Sequence, residues 1–533
     1  MVNSDTASHT SPPSASTIVN RHLPPGYSAD PSIPTDEDSL TLQGGDMHRD
    51  IFKIKARASA PRRAATFTAS RPESSMTEQQ EPGGLRREYI RRQRNIAAPV
   101  TRNFVSFLEL YGSFAGEDLN DTDEEEEEQP LLQPSRKRIK PGDASQTKTF
   151  FTLLKAFIGT GILFLPKAFR NGGLLFSSCT LIAVSIITTI CFRLLLQCRE
   201  KFGGGGYGEL GEAIFGRRMR SIILGSIIFS QLGFVSAGIV FTAENLLSFV
   251  NAVSNASLGV DSLIAIQFII LIPLALIRKI SKLGPAAILA DAFILIGLIY
   301  IWYYDITTLY TSNIAPSVVL FNPSSFTLTV GAAIFTFEGI GLILPIQSSM
   351  KQPEKFPKLL YIVMLIITVI FTSVGALCYA TFGDETKIQI ISNFPQSNKL
   401  VNAVQFLYSL AVLVGEPVQL FPAVRIIETS LFGEKATGKK SATIKWEKNA
   451  LRTGMMIGCG VVAVVGASDL DKFVALIGSV ACVPLVYIYP PWLHLKGVAN
   501  NWGEKAFDIT LIVLGVIAMF YTGIVTISQW VSG

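Results

Sequence analysis

Four carboxylates interrupt otherwise apolar stretches of this chain, and proton transfer is the chemistry they offer. Glu338 sits in "IFTFEGIGLILP", residues 334–345, and is the only charged side chain between Ser324 and Met350. Glu416 lies in "VGEPVQ" directly before Pro417, Asp291 in "ILADAF" and Glu244 in "FTAENL". Burial favours the neutral form of a carboxyl group, so an acid at such depth is suited to taking up and releasing a proton. Each also has a plainer role: Glu338 bracing broken backbone, Glu416 serving the turn that Pro417 frees, Asp291 pairing with a basic neighbour such as Lys155, and Glu244 standing in solvent. Histidine is a poor proton carrier here, because His9, His22 and His48 fall in a polar N-terminal stretch and His494 at the end of an apolar run.

The residues beside Glu338 suggest a second chemistry. "GTGILFLP", residues 159–166, and "GIGLILP", residues 339–345, share a Gly-x-Gly pair followed by an apolar stretch ending in Leu-Pro. Glycine weakens a helix and proline removes a backbone donor, so both segments are placed to unwind. Unwound backbone is tolerated at membrane depth only where it is buried in protein or lines a cavity. Its freed N–H and C=O groups then bind a polar ligand, and a half-helix N-terminus favours a carboxylate. An amino-acid zwitterion fits: its amine meets carbonyls and its carboxylate meets amides.

The elements that must hold these groups are apolar runs of membrane-crossing length. The chain has 533 residues, is 49% hydrophobic and 16% charged, and has a mean hydropathy of +0.38. Soluble domains carry roughly 25% charged residues. Eleven runs are read at 149–171, 173–198, 220–247, 262–278, 284–304, 325–349, 359–382, 401–423, 449–468, 470–492 and 507–530. A helix of about 20 residues spans a bilayer. Lysine and arginine alternate between the connections: Arg136, Lys137, Arg138 and Lys140 precede run 1, and further clusters follow runs 2, 4, 6 and 8, while 248–261 and 305–324 hold none. That alternation places the N-terminus in the cytosol and the C-terminus across the membrane. Five runs separate the two glycine motifs, an odd number, so the units enter the membrane from opposite sides, as inverted repeats do.

Residues 1–147 read as a disordered cytosolic tail and 148–533 as the transmembrane domain. The tail carries "EEQPLL", in which Glu127 precedes Leu131 and Leu132 as in an acidic dileucine sorting signal for an adaptor. The six cysteines fall in or beside apolar runs without metal-ligand spacing and read as small apolar fillers. "KFGGGGYGELG" lacks the Lys-Ser/Thr of a phosphate loop and reads as a flexible connector, so neither cofactor nor enzyme chemistry is expected.

"LLKAFIGTGILFLPKAFRNGG" and "IFTFEGIGLILPIQSSMKQPEKFP" resemble the signature stretches of the amino acid/auxin permease family, in its fungal vacuolar branch, which is related to lysosomal proton-coupled amino-acid transporters. The resemblance covers roughly 147–530. It implies an all-α, leucine-transporter-like fold: a five-plus-five inverted repeat with an eleventh helix, broken in helices 1 and 6. It implies proton-driven movement of neutral amino acids from the vacuole lumen to the cytosol. Carried over by motif, the binding residues are Gly159, Thr160 and Gly161 with Phe337, Glu338 and Gly339, and Ile158 and Phe335 help line the side-chain pocket. Two other functions use the same pocket: a receptor that senses an amino acid and signals through the tail, and a facilitator without protons.

Overall fold

The computed structural model describes residues 110–117, 119, 144–158, 160–253, 259–277, 284–395, 399–433 and 442–532; at 160, 163, 284–292, 390, 442 and 532 the backbone alone is described. All belong to one compact unit, residues 93–533. The described residues are helical, joined by turns and a single parallel β-bridge between Ala144 and Met350.

The helices are α1 (Gln146–Phe157), α2 (Leu165–Gly172), α3 (Leu174–Phe202), α4 (Tyr207–Phe215), α5 (Arg217–Val253), α6 (Val260–Ala275), α7 (Gly284–Ser312), α8 (Phe326–Thr336), α9 (Ile340–Ser349), α10 (Phe356–Phe382), α11 (Lys399–Phe432), α12 (Ala442–Gly466), α13 (Leu470–Ile477), α14 (Tyr489–Gly497) and α15 (Trp502–Ser532). Among the described residues, nine helical spans are long and apolar enough to cross a membrane. Such spans satisfy every interior backbone group within themselves, which is what a bilayer demands. α6, at 16 residues, is apolar but shorter, and the α1–α2 span is interrupted.

Burial sorts the spans into centre and periphery. In the span formed by α8 and α9 the most apolar stretch is 89% buried, against 28% in α15 and 22% in α7. The outer helices instead present Leu295, Ile299, Ile517 and Phe520 outwards, the apolar surface that lipid covers. α8 is held at the centre by close backbone approach to the span that begins with α13. A Cβ at Gly331 would run into the Ala475 carbonyl, and one at Gly478 into Gly331.

Several elements differ from the sequence expectation. Run 10 is not one α-helix: π-helical turns at Gly478–Cys482 and Pro484–Ile488 separate α13 from α14. Pro484 supplies no donor, so the hydrogen-bond ladder shifts there. α7 extends eight residues beyond the expected end at 304. The glycine-rich stretch is not merely a connector, because α4 starts within it and Glu209 accepts a hydrogen bond from the Gly206 N–H (3.1 Å).

The boundary at 147 also leaves out a packed segment. Leu110–Gly116 forms a 3-10 turn against α9 and α11. The Phe114 ring, 4% exposed, occupies the space where Gly341 lacks a side chain. Arg425 Nε donates to the Leu119 carbonyl (2.7 Å). Glu117 accepts from the Glu209 N–H (3.1 Å) and faces Arg220 (3.3 Å). The Gly116 backbone lies on Gly206, where a Cβ would meet it at 2.7 Å. The glycines of the α3–α4 connection thus allow a close approach that any side chain would block.

Candidate functional site

Both glycine motifs interrupt their helices. α1 ends at Phe157, Ile158 leaves helical geometry (φ −77, ψ 85), a 3-10 turn covers Thr160–Phe164, and α2 resumes with Pro166 near its start. Proline is suited to that position, where no N–H is needed. α8 ends at Thr336, Phe337 and Glu338 lie outside a helix, and Gly339 (φ −159, ψ 5) opens α9. The first N–H groups of α9 and the last carbonyls of α1 have no helical partners of their own.

The two breaks meet. Thr336 Oγ1 donates to the Ala332 carbonyl of its own helix (2.8 Å) and lies 3.2 Å from the Gly161 carbonyl, and a Cβ at Gly161 would stand 3.1 Å from the Thr336 Cα. The Phe157 ring lies over Gly339, where a Cβ would come within 2.5 Å of it. Ile158 is half-buried next to the break. Gly159 lies outside the described residues, and of Thr160 only the backbone is described. The end of α1 and the start of α9 thus lie on touching segments, and helix ends of this kind carry the carbonyl and amide groups that suit a zwitterion.

The aromatic residues divide. Phe335 contacts Phe164 (5.6 Å between centroids) and Phe234 (4.5 Å), and Phe164 contacts Phe241 (5.5 Å). This cluster roofs the breaks. The Phe337 ring packs on Phe371 (5.3 Å) and is fully buried, which leaves its backbone rather than its ring at the break.

Of the four carboxylates, the structure sets one at the breaks. Glu338 is half-buried beside the break, and Cys482 of the π-helical turn lies near it. Glu416, 4% exposed, points at Gly238 of α5, where no Cβ fits, with Cys459 of α12 close by. Glu244 accepts a hydrogen bond from Gln389 in the α10–α11 connection. Asp291 is on α7 with its side chain outside the described residues, and the sorting residues Glu127, Leu131 and Leu132 lie outside them entirely.

The two approaches to the breaks differ. On one side a cleft of about 340 Å³ opens, lined by Asn171, Ser324, Ser325, Asp471, Lys472 and Gln529 among others. Asn171 donates to Asp471 (3.2 Å), and Lys472 reaches Asp469 (3.2 Å). A narrower space continues inward past Phe164, Lys167 and Ala332. This is the end with few cations. At the cation-rich end α9 is clamped. Arg199 Nη1 donates to the Leu344 carbonyl (2.9 Å) and to Gln347 (2.8 Å), and its Nη2 to Ser348. Ala144 pairs with the Ser349 carbonyl (2.9 Å) and the Lys351 N–H (3.0 Å). Phe114 then covers Gly341. None of these closures was foreseen from the sequence, although "NFVSFLELYGSF" at 103–114 is an apolar, aromatic island in a polar stretch.

Among the described residues no group of three or more His, Cys, Asp or Glu could hold a metal ion, and five of the six cysteines are buried as free thiols.

Residues 142–528 match the family described as transmembrane amino acid transporter protein. The chain is 41% identical to "Vacuolar amino acid transporter 3" of Schizosaccharomyces pombe over 98% of its length and 86% of that protein. It is 37% identical to "Vacuolar amino acid transporter 4" of Saccharomyces cerevisiae over 91% of its length and 80% of that protein. Its backbone also bears a distant likeness to Mhp1 in an inward-facing conformation (TM-score 0.49, 14% identity, 76% of this chain and 95% of that one).

Proposed function

The chain belongs to the transmembrane amino acid transporter protein family, and on that premise we propose that it moves neutral amino acids together with protons from the vacuolar lumen to the cytosol by alternating access. It is a transporter and not an enzyme, and amino-acid transport across the vacuolar membrane is the function its relatives support. The observation that carries the fuller reading is the meeting of two broken helices through Thr336 and Gly161, with an open cleft on one side and a clamped mouth on the other. Backbone groups recognise the amine and carboxylate common to all amino acids. The Phe335, Phe164 and Phe234 cluster offers an apolar surface to the side chain, which favours an uncharged one.

In this reading the chain crosses the membrane eleven times as an inverted five-plus-five repeat and one further helix. The cation-rich mouth is cytosolic with the N-terminus, and the cleft faces the lumen with the C-terminus. Glu338 is placed to couple substrate and proton, since it sits beside the unwound backbone. Glu416 is a second carrier, packed between α5 and α12. Glu244 guards the lumenal side, and Asp291 belongs to the cytosolic half of α7. Glu127, Leu131 and Leu132 serve as a sorting signal read by an adaptor.

The test is transport by the full chain in proteoliposomes, using a panel of amino acids with and without an imposed pH gradient. The reading expects uphill uptake of neutral amino acids only with the gradient, and Glu338→Gln is expected to impair gradient-driven uptake more than exchange. Binding without counterflow would make the protein a sensor, and counterflow without gradient-driven uptake a facilitator.

A further inference from the structure

Asp305 lies one residue past the apolar run at 284–304, where the sequence alone makes it look interfacial. The helix continues to Ser312, and Asp305 is 0% exposed. Its Oδ2 accepts from the Cys378 thiol of α10 (2.7 Å), and its Oδ1 has no hydrogen-bond partner among the described residues. Thr381 also faces the carboxyl, but its hydroxyl donates to the Leu377 carbonyl (2.9 Å).

The charged and titratable groups of every packed element leave it without a cation. α10 offers only Cys378 and Thr381. From its own helix the neighbours are Tyr300, Tyr303 and Tyr304, and Tyr304 stacks on Phe382 (6.1 Å) and Phe394 (4.6 Å). α11 meets α7 through Tyr408 at Gly297, and the charged residue at the near end of α11, Lys399, is exposed. In the α10–α11 connection Asp384, Glu385 and Lys387 are exposed. An ionised carboxylate sealed in this way, with one weak thiol donor and no countercharge, is untenable: buried charges are paired or neutralised. The side chain is therefore a neutral acid while α7 and α10 are in contact.

We infer that Asp305 carries a proton for the transport cycle, holding it while α7 is packed against α10 and releasing it when the two helices part. On release the carboxyl O–H bond breaks, the proton passes to water admitted between the helices, and a carboxylate remains; no electrons are exchanged. Proton occupancy and helix separation are thereby linked, each favouring one conformation over the other. The inference rests on the proton-coupled reading of the function and adds a carrier remote from the unwound backbone.

The experiment uses the full chain in proteoliposomes, comparing wild type, Asp305→Asn and Cys378→Ala. Asparagine mimics the neutral acid. Asp305→Asn is expected to keep measurable counterflow exchange, to lose about tenfold or more of gradient-driven accumulation, and to lose the dependence of rate on lumenal pH. Accumulation equal to wild type would overturn the inference while leaving proton coupling intact. If wild type itself ignores the gradient, the coupled reading falls and this inference falls with it. Should Asp305→Asn show no exchange because it misfolds, Cys378→Ala decides. Removing the thiol loosens the seat that holds the acid between α7 and α10 while leaving the carboxyl in place, so exchange should persist with an altered dependence of rate on lumenal pH, and an unchanged pH profile would overturn the assignment.

Discussion

At the cation-poor mouth, Asn171, Ser324, Asp471 and Lys472 line an open polar cleft, whereas at the cation-rich mouth Phe114 covers Gly341 and Arg199 holds the last turn of α9. The first mouth is wet, charged and loosely tied. The second is shut by apolar contact, by charge-assisted hydrogen bonds and by a segment from outside the helical bundle. One mouth is open to solvent at its surface and the other is covered, and this asymmetry is what the proposed alternating access would exploit. Opening the other mouth requires a ring, a guanidinium and a backbone bridge to let go together.

The comparison can be tested most severely where the two approaches meet. Gly161→Leu forces a side chain into the Thr336 backbone and should abolish transport and substrate binding, as measured by radiolabelled uptake and by ligand-induced thermal shift; normal uptake would move the site elsewhere. Next in size is Phe114→Ala. Truncating a buried phenylalanine costs about 3 kcal/mol, on the order of 100-fold in the balance between docked and undocked segment. Cysteine-labelling rates at a reporter introduced near Gly341 should rise accordingly, and unchanged labelling would mean the segment does not seal that mouth. Arg199→Ala removes hydrogen bonds from a charged donor, each worth about 1.5–3 kcal/mol, and should loosen α9 about tenfold or more in the same assay.

The cleft should be less sensitive. Asp471→Asn at a solvated rim is expected to raise the half-saturating substrate concentration by only about two- to fivefold, because exposed charges contribute about 1 kcal/mol or less. The smallest effect is a pH dependence. Burial pushes the Glu117 carboxyl above its ordinary range, with the Glu209 N–H and Arg220 opposing. The docked state then binds the proton more tightly than the free segment, so docking is favoured at low pH and weakens as pH rises through the raised value. Protection of the Phe114–Glu117 amides, taken relative to intrinsic exchange at the same pH, should rise on acidification, and Glu117→Gln should remove that rise.

The breaks at Ile158–Phe164 and Phe337–Gly339 were legible because their cause is local. Glycine and proline weaken a helix wherever they fall, and two matching clusters in apolar runs seldom coincide by chance. The positions of the apolar spans were legible for the same reason, though not their ends, since α7 and α11 run on to Ser312 and Phe432. Asp305 was not, since its burial depends on α10 lying against it and not on its immediate neighbours. Phe114 and Glu117 were hidden by averaging: a short apolar island disappears in the composition of a polar tail. The π-helical turns near Cys482 had a visible sign in Pro484, but a proline in a membrane helix has several outcomes and only packing selects among them.

The segment at Leu110–Leu119 is, in thermodynamic terms, a ligand tied to its own receptor. A short tether keeps such a ligand at an effective concentration in the millimolar range, so even feeble intrinsic affinity suffices to populate the bound form. Its docking surface is built from Gly341, Gly206 and Arg425; to the extent that opening that mouth separates these residues, an event that detaches the segment favours opening by the same factor by which opening disfavours its return.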